Sequence, residues 1–201
     1  CSDPLWKAAR ELATEFGTGM SFHMSPAKLD PEAFVEEFGH RPMIHLQEIG
    51  VLDKDVVMTH VVHVDDQELK VLAESGVHVA HCPTTALKVA YGVTQIGKMP
   101  EMMMSGINVA IGTDGNNASN YSDLMRATYL VAGIFKDARQ DPQMFPAEMA
   151  LSKLRNRELV LSQKLQNMEA KYDYVLVDCA PSINLLNQNS LLFSTEIFLP
   201  V

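Results

Sequence analysis

Residues 56–82 read VVMTHVVHVDDQELKVLAESGVHVAHC. The run from Val56 to Val64 is nearly continuous in apolarity, and so is the run from Val77 to Cys82. Between them, Asp65 and Glu68 stand at capping-box spacing, with Asp in place of Ser or Thr, and Gly76 supplies a helix stop. The stretch therefore predicts strand, helix, strand. Short Val-rich runs of this kind belong to strands covered on both faces, as in parallel sheets.

The same alternation extends in both directions. Gly19 to His23, Ile107 to Thr113, Tyr174 to Asp178 and Ile197 to Val201 read as further strands. Leu5, Ala8, Ala9, Leu12 and Phe16 follow helical spacing up to Gly17. Pro31 opens a helix with Phe34, Val35 and Phe38 on one side, and Pro42 opens a shorter one ending at Gly50. Tyr121 to Asp137 is a longer helix, and Met99 to Met104 reads as core filler on a helix. The fold class is α/β, built from right-handed βαβ units on a parallel sheet. Past residue 150 the texture changes: residues 150–170 read as one polar helix with a leucine stripe, and Lys and Arg become denser. The expected organisation is one unit over residues 1–150 and another over 151–201.

Composition excludes several classes. The 201 residues are 47% apolar, too many for a disordered chain. A net charge of −9 without a basic block argues against nucleic acid as a partner. No apolar run reaches the roughly 20 residues of a membrane span, so no membrane partner is expected. No basic start with an apolar core marks a signal peptide. The three cysteines, Cys1, Cys82 and Cys179, lie far apart, which predicts a reducing, cytoplasmic setting. Opening at Cys1 rather than Met, the chain is expected to be a piece of something longer.

Candidate chemistry sits at strand C-termini, where parallel α/β folds place their ligands. The first strand ends in His23, the second carries His60 and His63, the third carries His81, and the fourth runs into Gly112-Thr113-Asp114-Gly115. Imidazole and carboxylate are the usual ligands of a catalytic divalent metal. His60 and His63 are three apart, so within one strand only one of them faces a site. Singly, each such residue has a plain reading: a hydrogen-bonded strand end, or a helix cap for Asp114. His40 and His45 are expected on helices in solvent, and His78 toward the covering helices.

These residues resemble the amidohydrolase superfamily over residues 1–148, in the branch of triazine hydrolases and cytosine and S-adenosylhomocysteine deaminases. The resemblance rests on His23, on Thr59-His60-Val61-Val62-His63-Val64, on Val79-Ala80-His81-Cys82-Pro83-Thr84 and on Val109-Ala110-Ile111-Gly112-Thr113-Asp114-Gly115. It implies the second half of a (β/α)8 (TIM) barrel, a fold of about 250 residues. It implies one divalent metal, zinc or iron, in the complete parent. His23 and Asp114 would be metal ligands, Asp114 would also shuttle the proton, and His60 would orient the substrate or water. His81 and Thr84 would line the substrate side. The family's first-strand His-x-His pair does not occur in the sequence, which puts metal occupancy in doubt for this chain. Pro26 stands where many deaminases of the branch carry a proton-transferring Glu.

The segment Lys171-Tyr172-Asp173-Tyr174-Val175-Leu176-Val177-Asp178-Cys179-Ala180-Pro181-Ser182 resembles instead the Walker B strand of ParA- and MinD-type ATPases. That likeness implies a short α/β fragment of P-loop type in which Asp178 faces magnesium through water. No Gly-x-x-x-x-Gly-Lys-[Ser/Thr] loop occurs in the chain.

The leading expectation is thus a partial metal-dependent hydrolase that uses metal-activated water to break a C–N or C–halogen bond of a small heterocyclic or amide-like substrate. The 201 residues alone are expected to show little or no activity. The alternatives are a partition-type P-loop ATPase fragment and a non-catalytic fusion product. Half a barrel leaves two sheet edges open, and open edges pair with other chains. Light scattering is expected to show self-association; a clean monomer refutes it.

Overall fold

The computed structural model describes residues 1–120, 122–145, 149, 159–165, 177 and 185–195. The chain divides into two compact units, Cys1–Phe145 and Pro146–Val201. In the first, helix α1 (Asp3–Glu15) leads into strand β1 (Met20–Met24), followed by α2 (Leu29–Phe38), α3 (Pro42–Glu48) and β2 (Val56–His60). Then come α4 (Asp66–Ser75), β3 (His78–His81), α5 (Pro83–Lys88), α6 (Val93–Ile96), α7 (Met99–Met104), β4 (Asn108–Ile111), α8 (Asn116–Ser119) and α9 (Leu124–Arg139). In the second unit the described residues include α10 (Val160–Leu165) and α11 (Leu185–Phe193), which pack together. The Asn189 side chain accepts from the Leu161 N–H at 3.0 Å.

The four strands form one sheet in the order β1-β2-β3-β4, every pair parallel. The register sets Phe22 beside Met58, Met58 beside Val79 and Val79 beside Val109. Met58, Val79 and Val109 are buried on this face, joined in the core by Leu46, Leu72, Met99, Met102, Val131 and Phe135 from the helices. The opposite face carries Ser21, His23, Val57, Thr59, His78, Ala80, Asn108 and Ala110, all exposed or half-buried. This corrects the expectation of strands covered on both faces. Val57, Ala80 and Ala110 sustain the apolar look of the runs, but their side chains are short and stand on the open face. The edges of β1 and β4 are also open among the described residues.

The local signals around α4 act as the sequence requires. Asp65 accepts from the Gln67 and Glu68 N–H groups, Glu68 reaches back to the Asp65 N–H, and Gly76 closes the helix at φ 73°. Glu68 does more than cap. Its fully buried carboxylate accepts from the Arg41 guanidinium at 2.7 Å and from the Met43 N–H at 3.1 Å. Arg41 also donates to the His63 carbonyl at 2.9 Å. One buried carboxylate therefore ties the start of α3, the loop after β2 and the start of α4 together.

Several expectations are corrected. β2 ends at His60 rather than Val64, because His60 (φ 76°) and Val61 (φ 49°) turn the backbone out of the extended region. β3 and β4 are also shorter than their apolar runs, and α9 starts at Leu124 under an Asp123 cap. His45 is buried, not solvated: its Nε2 lies 2.7 Å from Asp3 Oδ1 and its ring stacks on Phe38 at 4.1 Å. His40 is exposed, but between α2 and α3 rather than on a helix. The expected strands at 174–178 and 197–201 lie outside the described residues, apart from Val177, and so does Asp178.

Glu68→Ala removes the acceptor of the buried Met43 N–H and the return bond of the capping box, while Arg41 keeps Asp65 at 2.9 Å. It is expected to lower unfolding stability by about 1–3 kcal/mol, measured by urea denaturation.

Candidate functional site

Parallel pairing carries the ends of β1, β2, β3 and β4 to one rim of the sheet. The register that puts Met24 beside His60 also puts His81 beside Ile111, three residues before Asp114. The backbone past each strand is unusual. Ser25 (φ 47°), His60, Val61 and Asp114 (φ 62°) all lie in the left-handed region. For a β-branched residue such as Val61 that conformation costs on the order of 1–3 kcal/mol and persists only where surrounding bonds enforce it. Here the Val61 N–H donates to the Met24 carbonyl at 3.1 Å, and those of Val62 and His63 donate to the Ser25 carbonyl at 3.1 and 3.0 Å.

The turn delivers His60 to Asp114: Nε2 stands 3.8 Å from Oδ2. The His23 ring stacks on His60 with centroids 5.2 Å apart and planes 22° apart. Tyr91 meets His60 edge-on at 5.8 Å. Cys82, directly after β3, completes the group: one donor atom each from His60, Cys82 and Asp114 lie within 4.8 Å of one another. His60 and Cys82 are buried, Asp114 is half-buried and His23 is exposed. His63 lies outside this group, its Nε2 2.7 Å from the Tyr91 carbonyl.

The remaining expected residues are placed differently. His81 is almost fully buried beside Phe135, and its Nε2 has no hydrogen-bond partner among the described residues. Thr84 is buried too, its hydroxyl donating to the Thr113 carbonyl at 3.3 Å in support of the loop before Asp114. Two neighbours of the site, Cys82 and Tyr91, were not singled out by the sequence. The signal for Cys82 was its place immediately after a strand whose two neighbours lead into His60 and Asp114. Tyr91 carries no such signal, because it arrives from the loop after α5.

The charges follow from these surroundings. Burial pushes the His60 imidazole below its ordinary value; Asp114 opposes this and His23 adds to it, so the ring is neutral at pH 7. Burial works to raise the Asp114 carboxyl, but it is held below the usual carboxylate range. The Gly115 N–H donates to it at 2.7 Å, the buried Thr85 hydroxyl lies close by without a hydrogen bond of ordinary geometry, and the imidazoles of His60 and His23 contribute. Cys82 is pushed up to about 11 by burial and by the nearby Asp114 charge. The site thus pairs an ionised carboxylate with a neutral imidazole and a protonated thiol.

Residues 1–153 match the sequence model of the amidohydrolase family. The chain belongs to that family. A model described as an AAA domain also matches, over residues 106–201, overlapping the amidohydrolase match over 106–153. Among curated amidohydrolase relatives, a 5-methylthioadenosine/S-adenosylhomocysteine deaminase of Moorella thermoacetica is 35% identical over 183 residues, which is 89% of this chain and 42% of the relative. A 5′-deoxyadenosine deaminase of Methanopyrus kandleri is 33% identical over 191 residues, 92% of this chain and 43% of the relative. Matches of that length run past residue 150. The amidohydrolase chain therefore spans less than half the length of these relatives. Among solved structures, an adenosine deaminase from Xanthomonas campestris with bound zinc superposes with a TM-score of 0.71 at 26% identity, over 76% of this chain and 34% of the other. An atrazine chlorohydrolase from Arthrobacter aurescens, complexed with zinc, shares the fold with a TM-score of 0.71 at 22% identity, over 78% and 34% of the two chains. The four-stranded sheet is thus part of an amidohydrolase TIM barrel.

Acid is expected to destabilise the first unit through His81. Burial, with His60 adding to it, pulls that imidazole down to about 4, whereas the unfolded chain takes up the proton near 6.5. Between those values the unfolded state binds more protons. The stability contributed by the neutral ring is therefore complete above about pH 6.5 and lost as pH falls toward 4, by about 3 kcal/mol. A urea series across this window is expected to show the loss, and His81→Gln to flatten it.

Proposed function

We propose that this chain forms part of a metal-dependent hydrolase that uses water to displace nitrogen from a carbon of a small amino-heterocycle. The observation that carries the reading is the meeting of Asp114 and His60 at 3.8 Å on the strand rim, with His23 stacked against His60. The donor set fits a divalent ion. It combines imidazole with an ionised carboxylate, and the buried His60 Nδ1 has no partner among the described residues. In this reading His23 and Asp114 hold the ion and His60 orients the reactants. When bound, the ion supplies a Lewis acid and lowers the pKa of water.

The protein's own groups then divide the work. Asp114, ionised, takes a proton from the attacking water at a carboxylate oxygen and passes it to the leaving nitrogen. His60, neutral, offers one ring nitrogen as donor or acceptor to hold the electrophilic carbon in line. Deaminase relatives that act on adenosine derivatives support a purine-like substrate; a C–halogen bond is the corresponding alternative. Pro26 leaves no carboxylate at the position where the branch places its second proton carrier, so proton transfer rests on Asp114 and turnover by these 201 residues alone is low or nil.

A second reading, a partition-type ATPase fragment with Asp178 toward magnesium, is favoured by the AAA-domain match. Its phosphate loop has one near approach in the chain, Gly92-Val93-Thr94-Gln95-Ile96-Gly97-Lys98, followed by Met99 instead of Ser or Thr. There α6 occupies the middle of the stretch and Lys98 pairs with Asp66, so its backbone is not an open cradle for phosphate.

Metal content decides among the readings. His23→Ala and Asp114→Ala are each expected to lower zinc bound per chain, measured by elemental analysis after equilibrium dialysis, while ATP binding stays undetectable. Unchanged zinc in both variants favours a non-catalytic chain, and measurable ATP affinity favours the ATPase fragment.

A further inference from the structure

We propose that His63 is a positioning residue for His60 and acts through Tyr91. What the orientation of His60 serves rests on the metal-dependent reading; how it is set follows from the contacts around the ring. The two imidazoles of Thr59-His60-Val61-Val62-His63 stand three residues apart, and in an unbroken strand they would face opposite sides of the sheet. The strand ends at His60 instead, and the left-handed turn through His60 and Val61 lets His63 face the loop after α5. There its Nε2 lies 2.7 Å from the Tyr91 carbonyl. A carbonyl only accepts, so Nε2 carries a hydrogen and donates it. The Tyr91 ring in turn meets the His60 ring at 72°, with centroids 5.8 Å apart. That geometry is one in which edge-to-face aromatic pairs attract. His23 stacks on His60 with planes 22° apart. His60 thus has two aromatic neighbours, and His63 places one of them.

Both ends of this link are held. The His63 N–H donates to the Ser25 carbonyl at 3.0 Å, and the His63 carbonyl accepts at 2.9 Å from Arg41, which also binds the buried Glu68. The end of β1 and the cap of α4 therefore fix His63 independently of Tyr91. On the other side, the Tyr91 N–H donates to the Ala86 carbonyl at 2.9 Å. Tyr91 stands between Ala90 (φ 58°) and Gly92 (φ 82°), both left-handed. A residue other than glycine stays in that region only where its surroundings enforce it. For Ala90 the enforcing bonds fall on the next residue, from Tyr91 to Ala86 and from His63 to Tyr91. One hydrogen bond from an anchored imidazole thereby decides where an aromatic ring stands against a site residue.

The test uses the zinc-free chain, isotope-labelled at histidine and followed by NMR, with the His60 Cε1–H cross-peak assigned by its loss in H60Q. Y91L removes the ring and keeps both main-chain bonds, and it is expected to move the cross-peak. H63F keeps a ring and loses the donor; it is expected to move the cross-peak in the same direction. H63Q carries an amide nitrogen that reaches the place of Nε2, and its cross-peak is expected to stay near that of the parent. H63A replaces H63F where the phenyl ring prevents folding. An unmoved cross-peak in Y91L or in H63F overturns the proposal. So does a shift in H63Q as large as in H63F, which marks packing of the His63 ring rather than its hydrogen bond. Zinc binding by the parent is measured apart, by equilibrium dialysis. Its absence overturns the metal-dependent reading, while the zinc-free spectra still decide the link from His63 to His60.

Discussion

Parallel hydrogen bonding in chain order sends the four strands the same way, so each one ends at the same rim. The distances there are set by the ladder: neighbouring strands lie about 4.8 Å apart, so groups at the ends of β2 and β4 start two strands from one another. What brings His60 and Asp114 to 3.8 Å is the departure of both residues from extended backbone. The turn at His60 is in turn enforced by main-chain bonds from Val61, Val62 and His63 to the end of β1. The meeting of His60 and Asp114 depends on strain at the strand ends, and the strain on the ladder that anchors it.

How much of this was legible depended on whether a signal was local. The capping pair Asp65 and Glu68 and the stop at Gly76 lie within one helix, and the sequence states them outright. Alternation of Val-rich runs with helical spacing gave the parallel sheet for the same reason. His45 was misread because its partner Asp3 is distant in sequence, and nothing near His45 announces a buried carboxylate contact. Val56 to Val64 was read as one strand because side-chain character does not report φ: Val61 is the residue least expected to turn left-handed. The rim residues His23, His60 and Asp114 were visible because each sits at the end of an apolar run. Cys82 entered only through its distance from the other cysteines and within the His81 motif, because its nearness to His60 and Asp114 comes from the two strands beside its own.

The family match and the fold agree over the first unit. The two family matches overlap over residues 106–153, and the curated deaminases align past residue 150. The compact units divide at Phe145 and Pro146. The family matches and the compact units concern different things: a family relationship follows descent along the chain, whereas a compact unit follows which side chains share a core. The buried Ser25, just past β1, supplies the carbonyl that anchors the turn after β2.

The uncovered face of the sheet has a thermodynamic counterpart. Ser21, His23, Asn108 and Ala110 already meet water in the folded state, and Val57, Thr59, His78 and Ala80 do so in part. Unfolding therefore uncovers less new apolar surface than it does in a domain whose sheet is packed on both sides. The heat-capacity increment of unfolding, ordinarily about 12–15 cal/mol/K per residue, and the denaturant dependence of stability both scale with that surface. For these 201 residues alone both quantities are therefore smaller than for a sheet packed on both sides, and further barrel strands covering the open face would raise them.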